Sequence, residues 1–238
     1  MNDVYKKLAL IDAGFVLDAA TGRGEFINTI KNSFRSYTQI IGIDSSEKSV
    51  NYTQKLFPDN DIEIYKMNLE ELSFDDGQFD TVTISNSLHH LENSEAVFKE
   101  LKRVLKKGGR LIVAEMYRDG KQTEAQQTHI QMHHWISGVD RLMGIYHRET
   151  FTKQEIMDFI EKLALKNTEI MDYYIPVDNP KANSTCETLL RNCQDTMKRL
   201  ETLPNAAELA EAGRQLMIRI AEIGCASASR LMAIGTKK

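Results

Sequence analysis

Asp18 stands ahead of Gly22 and Gly24 and directly after a short apolar run at 15–17. The run reads as a strand buried on both faces. The two glycines make a tight turn, and Phe26, Ile27, Ile30 and Phe34 beyond them lie at helical spacing. Strand, glycine turn and helix start together form a place for a nucleotide-like ligand. Glycine lets the ligand approach the backbone, and the first free N–H groups of the helix point at it. The acid then discriminates between ligands. A diphosphate wants a third glycine and an open helix N-terminus, and here Ile27 occupies the third glycine's place. A carboxylate ahead of the bend repels a diphosphate and welcomes a cation.

The histidines are the second group with chemistry to offer. His89 and His90 follow a predicted fourth strand, while His129 and His133 are four apart on one helical face with His134 adjacent. That spacing can hold a metal. No third ligand is fixed by the sequence, so a polar helix face is the better reading and no metal is expected. His89, His90, His133 and His134 are the candidates for a general base. Glu115, Trp135 and Tyr146 are candidates to touch the substrate, and Trp135 and Tyr146 equally suit packing.

Several elements must position these residues. Predicted strands at 39–43, 62–67, 81–85 and 111–114 follow the first, with helical stretches between all but the third and fourth. Asp18, Asp44, Asn68, Ser85 and Glu115 all fall at the carboxyl end of a predicted parallel strand, the edge where ligands bind in an open α/β sheet. Asp44 offers two acceptor oxygens, suited to a pair of ribose hydroxyls; the alternative is a helix N-cap region with Ser45 and Ser46. For Asn68 the alternative is an Asx turn opening the next loop. A helix with Val97, Leu101, Val104 and Leu105 on one face is expected to run to Lys106-Lys107 and stop at Gly108-Gly109. The Thr152-x-x-Glu155 box opens a helix to about 164, and strands are expected at 167–175 and 229–235.

With these residues in view, the stretch 15–26 resembles motif I, acid-x-Gly-x-Gly-x-Gly, of the Rossmann-like (class I) S-adenosylmethionine-dependent methyltransferases. Ala20 replaces the first glycine, a mild change if it keeps a negative φ. Phe79-Asp80-x-Val82, Leu88-His89-His90-Leu91 and Leu105-Lys106-x-Gly108-Gly109-x-Leu111 resemble further features of the family's small-molecule branch. The resemblance implies an α/β three-layer sandwich around a seven-stranded, mostly parallel sheet with the last strand antiparallel. It implies S-adenosylmethionine as cofactor. Asp18, Ala20, Gly22 and Gly24 would surround its methionine part, Asp44 and Ser45 its ribose, and Asn68 and Leu69 its adenine, with Ser85 contributing through its backbone. The implied reaction is methyl transfer to an oxygen, nitrogen or sulfur of a small molecule. The chain has no Asn/Asp-Pro-Pro-Tyr run, and no cysteine lies near strand 4 or 5, which sets nucleobase acceptors aside. Two rivals remain: a non-catalytic cofactor-binding or interaction protein of the same fold, and an NAD-dependent oxidoreductase, disfavoured by the missing third glycine and by Asp18.

Bulk properties agree with a small-molecule enzyme. The chain has 238 residues, 42% of them hydrophobic and 27% charged, with net charge −4. It shows no block of lysine and arginine, so nucleic acid is not an expected partner. No apolar run approaches membrane-spanning length. Three cysteines, too far apart for a disulfide framework, point to a reducing cytoplasm. The expected organisation is a cofactor-binding domain at 1–178 and 227–238, with a helical hairpin inserted at 179–226. The first inserted helix would open on a Ser184-x-x-Glu187 box and the second on Asn205 with Glu208. That hairpin would either cover the acceptor pocket or pair with a second copy in a homodimer.

Overall fold

The computed structural model describes residues 3–58, 60–182 and 184–238, without the side chains of Ser184 and Thr185. Its strands are β1 (Phe15–Ala19), β2 (Gln39–Asp44), β3 (Ile62–Lys66), β4 (Phe79–Ser85), β5 (Leu105–Met116), β6 (Lys166–Tyr173) and β7 (Arg230–Thr236). They form one sheet in the order β3-β2-β1-β4-β5-β7-β6. The first five strands pair in parallel, and β7 lies antiparallel between β5 and β6. This is the seven-stranded sheet that the resemblance implied.

Strand residues alternate between two helical layers because successive side chains point to opposite faces. Val16, Ile40 and Ile64 pack with residues of α1 (Asp3–Leu8), α2 (Glu25–Ser33) and α3 (Glu47–Leu56). Leu17, Ile41 and Val82 pack with α4 (Ser94–Val104) and α6 (Lys153–Lys162). Both faces are thus covered, which is why the strands read as near-continuous apolar runs. Crossovers, helical except for the loop between β3 and β4, return each parallel strand in the same direction, so the carboxyl ends of β1–β5 share one edge.

A third apolar cluster lies apart from the sheet. Helices α7 (Ser184–Leu200) and α8 (Ala207–Ile223) fall between β6 and β7 and pack on α5 (Glu124–Leu142). Met132, Trp135 and Val139 of α5 meet Cys186, Leu189, Cys193, Leu216 and Ile220.

Several boundaries differ from the sequence expectation. Helix α4 ends at Val104, with Lys102 and Arg103 in its last turn. Leu105 instead begins β5, pairs with Phe79 and is fully buried, and a register shift follows it. Burial in the sheet therefore ends the helix before the glycines do. Asn205 does not cap α8: it takes a left-handed φ of 59°, and the N-cap is Ala206, which makes no side-chain bond. The Thr152–Glu155 box forms as expected, each side chain accepting the other's N–H. β6 runs over Lys166–Tyr173, so Tyr174 and Ile175 fall beyond it. The Ser184 box rests on a side chain outside the described residues, as does Asp59 in the turn expected at 58–61.

Candidate active site

The carboxyl edge of β1, β2 and β4 opens into a cleft of about 590 Å³. Its lining includes Asp18, Ala20, Gly22, Asp44, Ser45, Leu69, Ser85, His90 and Tyr146. The size lies in the range that takes a drug-sized ligand.

Asp18 is buried in β1, paired in register with Gly42 of β2 and Thr83 of β4. Its Oδ1 accepts the Thr83 hydroxyl at 2.7 Å and its Oδ2 the Thr21 hydroxyl at 2.9 Å. Burial pushes the carboxyl up to about 6, against the lowering pull of the two hydroxyls. The group is therefore ionised at neutral pH but held in a site that disfavours its charge. Each oxygen keeps a lone pair for a further donor.

Beyond Asp18 the chain bends. Gly22 and Gly24 take left-handed φ values of 56° and 79°, and Gly24 is the N-cap of α2. A Cβ on Gly24 would lie 2.4 Å from the Phe57 ring, so both conformation and space demand glycine there. Asp44 ties the bend to β2: its Oδ2 accepts the Gly22 N–H and its Oδ1 the Ser46 N–H, both at 2.8 Å. The helix-cap role weighed for this region falls to Ser46, which accepts the Ser49 N–H. The Thr53 hydroxyl donates to the Gly22 carbonyl at 2.8 Å and closes the bend from α3.

Ala20 departs from the condition set by the sequence. It sits at φ 53°, left-handed rather than negative. A Cβ in that region costs about 1–2 kcal/mol, partly offset by the greater freedom glycine loses on folding. Ala20→Gly is expected to stabilise the protein by about 0.5–1 kcal/mol and raise Tm by roughly 1–4 °C. Differential scanning fluorimetry checks this, and a lower Tm for the variant would contradict it.

Asn68 is placed differently from Leu69. Leu69 lines the cleft, whereas Asn68 is not in the lining and its Oδ1 accepts the Glu70 N–H at 3.1 Å, the Asx turn weighed as its alternative. Glu115 is fully buried: Oε2 accepts the Leu88 N–H at 2.8 Å, and Oε1 lies 3.0 Å from the Met116 N–H and 3.1 Å from His89 Nδ1. It anchors the turn after β4 rather than lining the cleft. Trp135 is buried in the third cluster and donates Nε1–H to the Leu209 carbonyl at 2.7 Å. Tyr146, partly exposed, reaches the cleft from the loop after α5.

The histidines assemble across long stretches of sequence. His89 and His90 form a 3-10 turn, Leu88–His90, just beyond β4. His147 stacks 5.4 Å from His89 and 4.0 Å from His90, between ring centres. His133 meets His89 edge to face at 5.5 Å and His129 at 4.7 Å. His90 has an exposed outer edge and lines the cleft. Desolvation, then the neighbouring His89 and His147, lower its pKa. Burial takes His129 down to about 3 and His133 well below the usual imidazole range. His129 Nδ1 accepts the Ala228 N–H at 3.1 Å. His134 stands apart, with Nε2 at 2.8 Å from the Thr150 hydroxyl. Among the four candidate bases, His90 is in the cleft lining, and His89, His133 and His134 are not.

Sequence reasoning missed Thr21, Thr83, Thr53 and Asn86. Thr83 carried a signal: a hydroxyl inside an otherwise apolar buried strand needs a polar partner. Asn86 lines the cleft with φ 49°, and its buried Oδ1 has no hydrogen-bond partner among the described residues.

A sheet of this strand order, with an acid ahead of a glycine bend at its carboxyl edge, defines the Rossmann-like class I methyltransferase fold. Residues 17–113 of the chain match the family model described as a methyltransferase domain. It is 33% identical over 114 residues to a ubiquinone/menaquinone biosynthesis C-methyltransferase of Geobacter sp. (strain M21), covering 46% of this chain and 48% of that protein. The chain thus spans about half the length of that curated relative. An uncharacterised methyltransferase of Schizosaccharomyces pombe is 27% identical over 233 residues, 92% of this chain and 74% of that protein. Among solved structures, phosphoethanolamine N-methyltransferase 2 of Haemonchus contortus, in complex with S-adenosylhomocysteine, superposes with TM-score 0.56 at 15% identity, over 99% of this chain and 51% of that chain.

Proposed function

We propose that the chain binds S-adenosylmethionine in the cleft at the carboxyl edge and transfers its methyl group to a small molecule. The observation that carries this reading is the buried Asp18 carboxylate at the cleft wall, beside Asp44 and the Gly22 bend. The lining holds Asp18, Glu25 and Asp44 against Arg23, whose guanidinium is drawn over the Tyr52 ring at 5.0 Å. Such a wall suits a ligand with an ammonium and a sulfonium and opposes a diphosphate. Asp18 meets the ammonium, Asp44 the ribose hydroxyls, and Leu69 the adenine ring.

Methyl transfer is a displacement at carbon on an already activated sulfonium, so the protein chiefly positions the acceptor. His90 and Tyr146 stand on the cleft wall as the groups to do so. Oxygen, nitrogen and sulfur were the acceptor atoms expected; the names of the relatives add carbon to that set. The net charge of −4 supports a small molecule over nucleic acid. Among the described residues no helix is long and apolar enough to cross a membrane, and the three cysteines, all buried, fit a cytoplasmic setting. The inserted hairpin spends its apolar face on α5, which leaves that face unavailable for pairing in a homodimer, and among the described residues it adds nothing to the cleft lining; light scattering on the purified chain tests the homodimer.

Calorimetry separates the main reading from its rival. S-adenosylhomocysteine is expected to bind at one site with micromolar affinity, and NADH far more weakly. Tighter binding of NADH, or no heat with S-adenosylhomocysteine, overturns the reading.

A further inference from the structure

We propose that His89, His90 and His147 form a binding site for a divalent transition-metal ion of the zinc class, opening on the acceptor end of the cleft. One ring nitrogen from each of the three lies within 4.8 Å of the others. His89 and His147 are buried, while His90 stands in the cleft lining.

Hydrogen bonding orients the two buried rings. His89 Nδ1 lies 3.1 Å from Glu115 Oε1, and His147 Nδ1 lies 2.7 Å from Asp140 Oδ2. A carboxylate only accepts, so in each ring Nδ1 carries the proton and Nε2 keeps its lone pair. Both Nε2 atoms are buried, and neither has a hydrogen-bond partner among the described residues. Burying a polar atom without a partner is costly, and a pair of them demands a reason. A carboxylate behind each imidazole is the arrangement that fixes the tautomer and raises the basicity of a metal-bound histidine.

The donor set identifies the ion class. Imidazole nitrogens suit zinc, copper, nickel or cobalt, whereas magnesium and calcium want oxygen ligands. At a metal–nitrogen distance of about 2.0–2.1 Å, tetrahedral ligands stand roughly 3.3 Å apart, so the rings need to close by at most about 1.5 Å. Three protein nitrogens leave a further position, and His90 turns that position toward the cleft. This is the pattern of a reactive site rather than of a closed structural one. The ion would also tie the loop after α5 to the turn after β4, holding Tyr146 at the cleft mouth beside His147. A role for the ion in polarising the acceptor rests on the function proposed above; the binding of the ion does not.

The test is a titration of the full chain, prepared without an affinity tag and stripped with EDTA, using cobalt(II) alone. One equivalent is expected to bind with the visible d–d bands of a four- or five-coordinate nitrogen site, and zinc(II) should displace it. His90→Ala, at an exposed edge, and His147→Gln should each lower the affinity at least tenfold, while His134→Gln should leave it unchanged. Zinc(II) should raise the Tm of the parent chain and not that of His90→Ala. No stoichiometric uptake, or uptake that His90→Ala and His147→Gln leave unaltered, overturns the proposal. Neither cofactor nor acceptor enters these readings, so they stand or fall apart from methyl transfer.

Discussion

Replacing Asp18 with asparagine is expected to weaken S-adenosylhomocysteine binding roughly 100-fold while leaving the ligand-free protein as stable as before, or more so. The affinity loss follows from removing a buried charge-assisted hydrogen bond to the ligand ammonium, worth about 2–3 kcal/mol. The stability gain follows from burial. Asp18 is raised from the ordinary 3.8 to about 6 in the fold, so its charged form is disfavoured there. That gap corresponds to roughly 3 kcal/mol of cost at neutral pH, an upper bound on what the neutral amide recovers. The two pH dependences run in opposite directions. Between about pH 4 and 6 the unfolded chain loses this proton before the folded one does, so ligand-free stability falls as pH rises through that window. Affinity for the ligand rises over the same approach to pH 6, because the carboxylate must be ionised to pair with its ammonium. Calorimetry at pH 5 and pH 7, with denaturant melts at both, checks all three statements. An asparagine variant that binds as tightly as the parent removes the basis of the proposed function.

Asp44→Ala is expected to lower S-adenosylhomocysteine affinity by about 30- to 100-fold, by a different route. Its oxygens hold the Gly22 and Ser46 amides at 2.8 Å, so the side chain shapes the glycine bend, and in the complex proposed above it would also meet the ribose. Alanine leaves two amides without their partner, and a stability loss of about 1–2 kcal/mol accompanies the weaker binding. Asp44→Asn keeps one acceptor oxygen and should fall between alanine and the parent in affinity. Calorimetry beside thermal melts separates the two contributions. An alanine variant of unchanged affinity would show that the ribose does not sit there.

Much of this arrangement is written locally. A buried parallel strand is a run of apolar residues, and its end is marked by the first polar one, so Asp18, Asp44 and Ser85 could be placed on one edge from sequence alone. The Thr152 box depends on residues three apart and formed as read. What went astray depended on partners far along the chain. Leu105 looks like the next residue on the apolar face of α4, but pairing with Phe79 drew it into the sheet. Ala20 looks tolerant until the bend, tied down by Asp44 and Thr53, takes it left-handed.

Local patterns sufficed for an α/β sheet with an acid and two glycines at its carboxyl edge, because periodicity and turn chemistry act over a few residues. Which polar groups meet was set by the packing of distant elements. That packing put Thr21 and Thr83 on Asp18, placed Glu115 behind His89, and brought His147 against His89 and His90. Such meetings follow from how the strands and helices close on one another, and no short-range pattern in the chain encodes them.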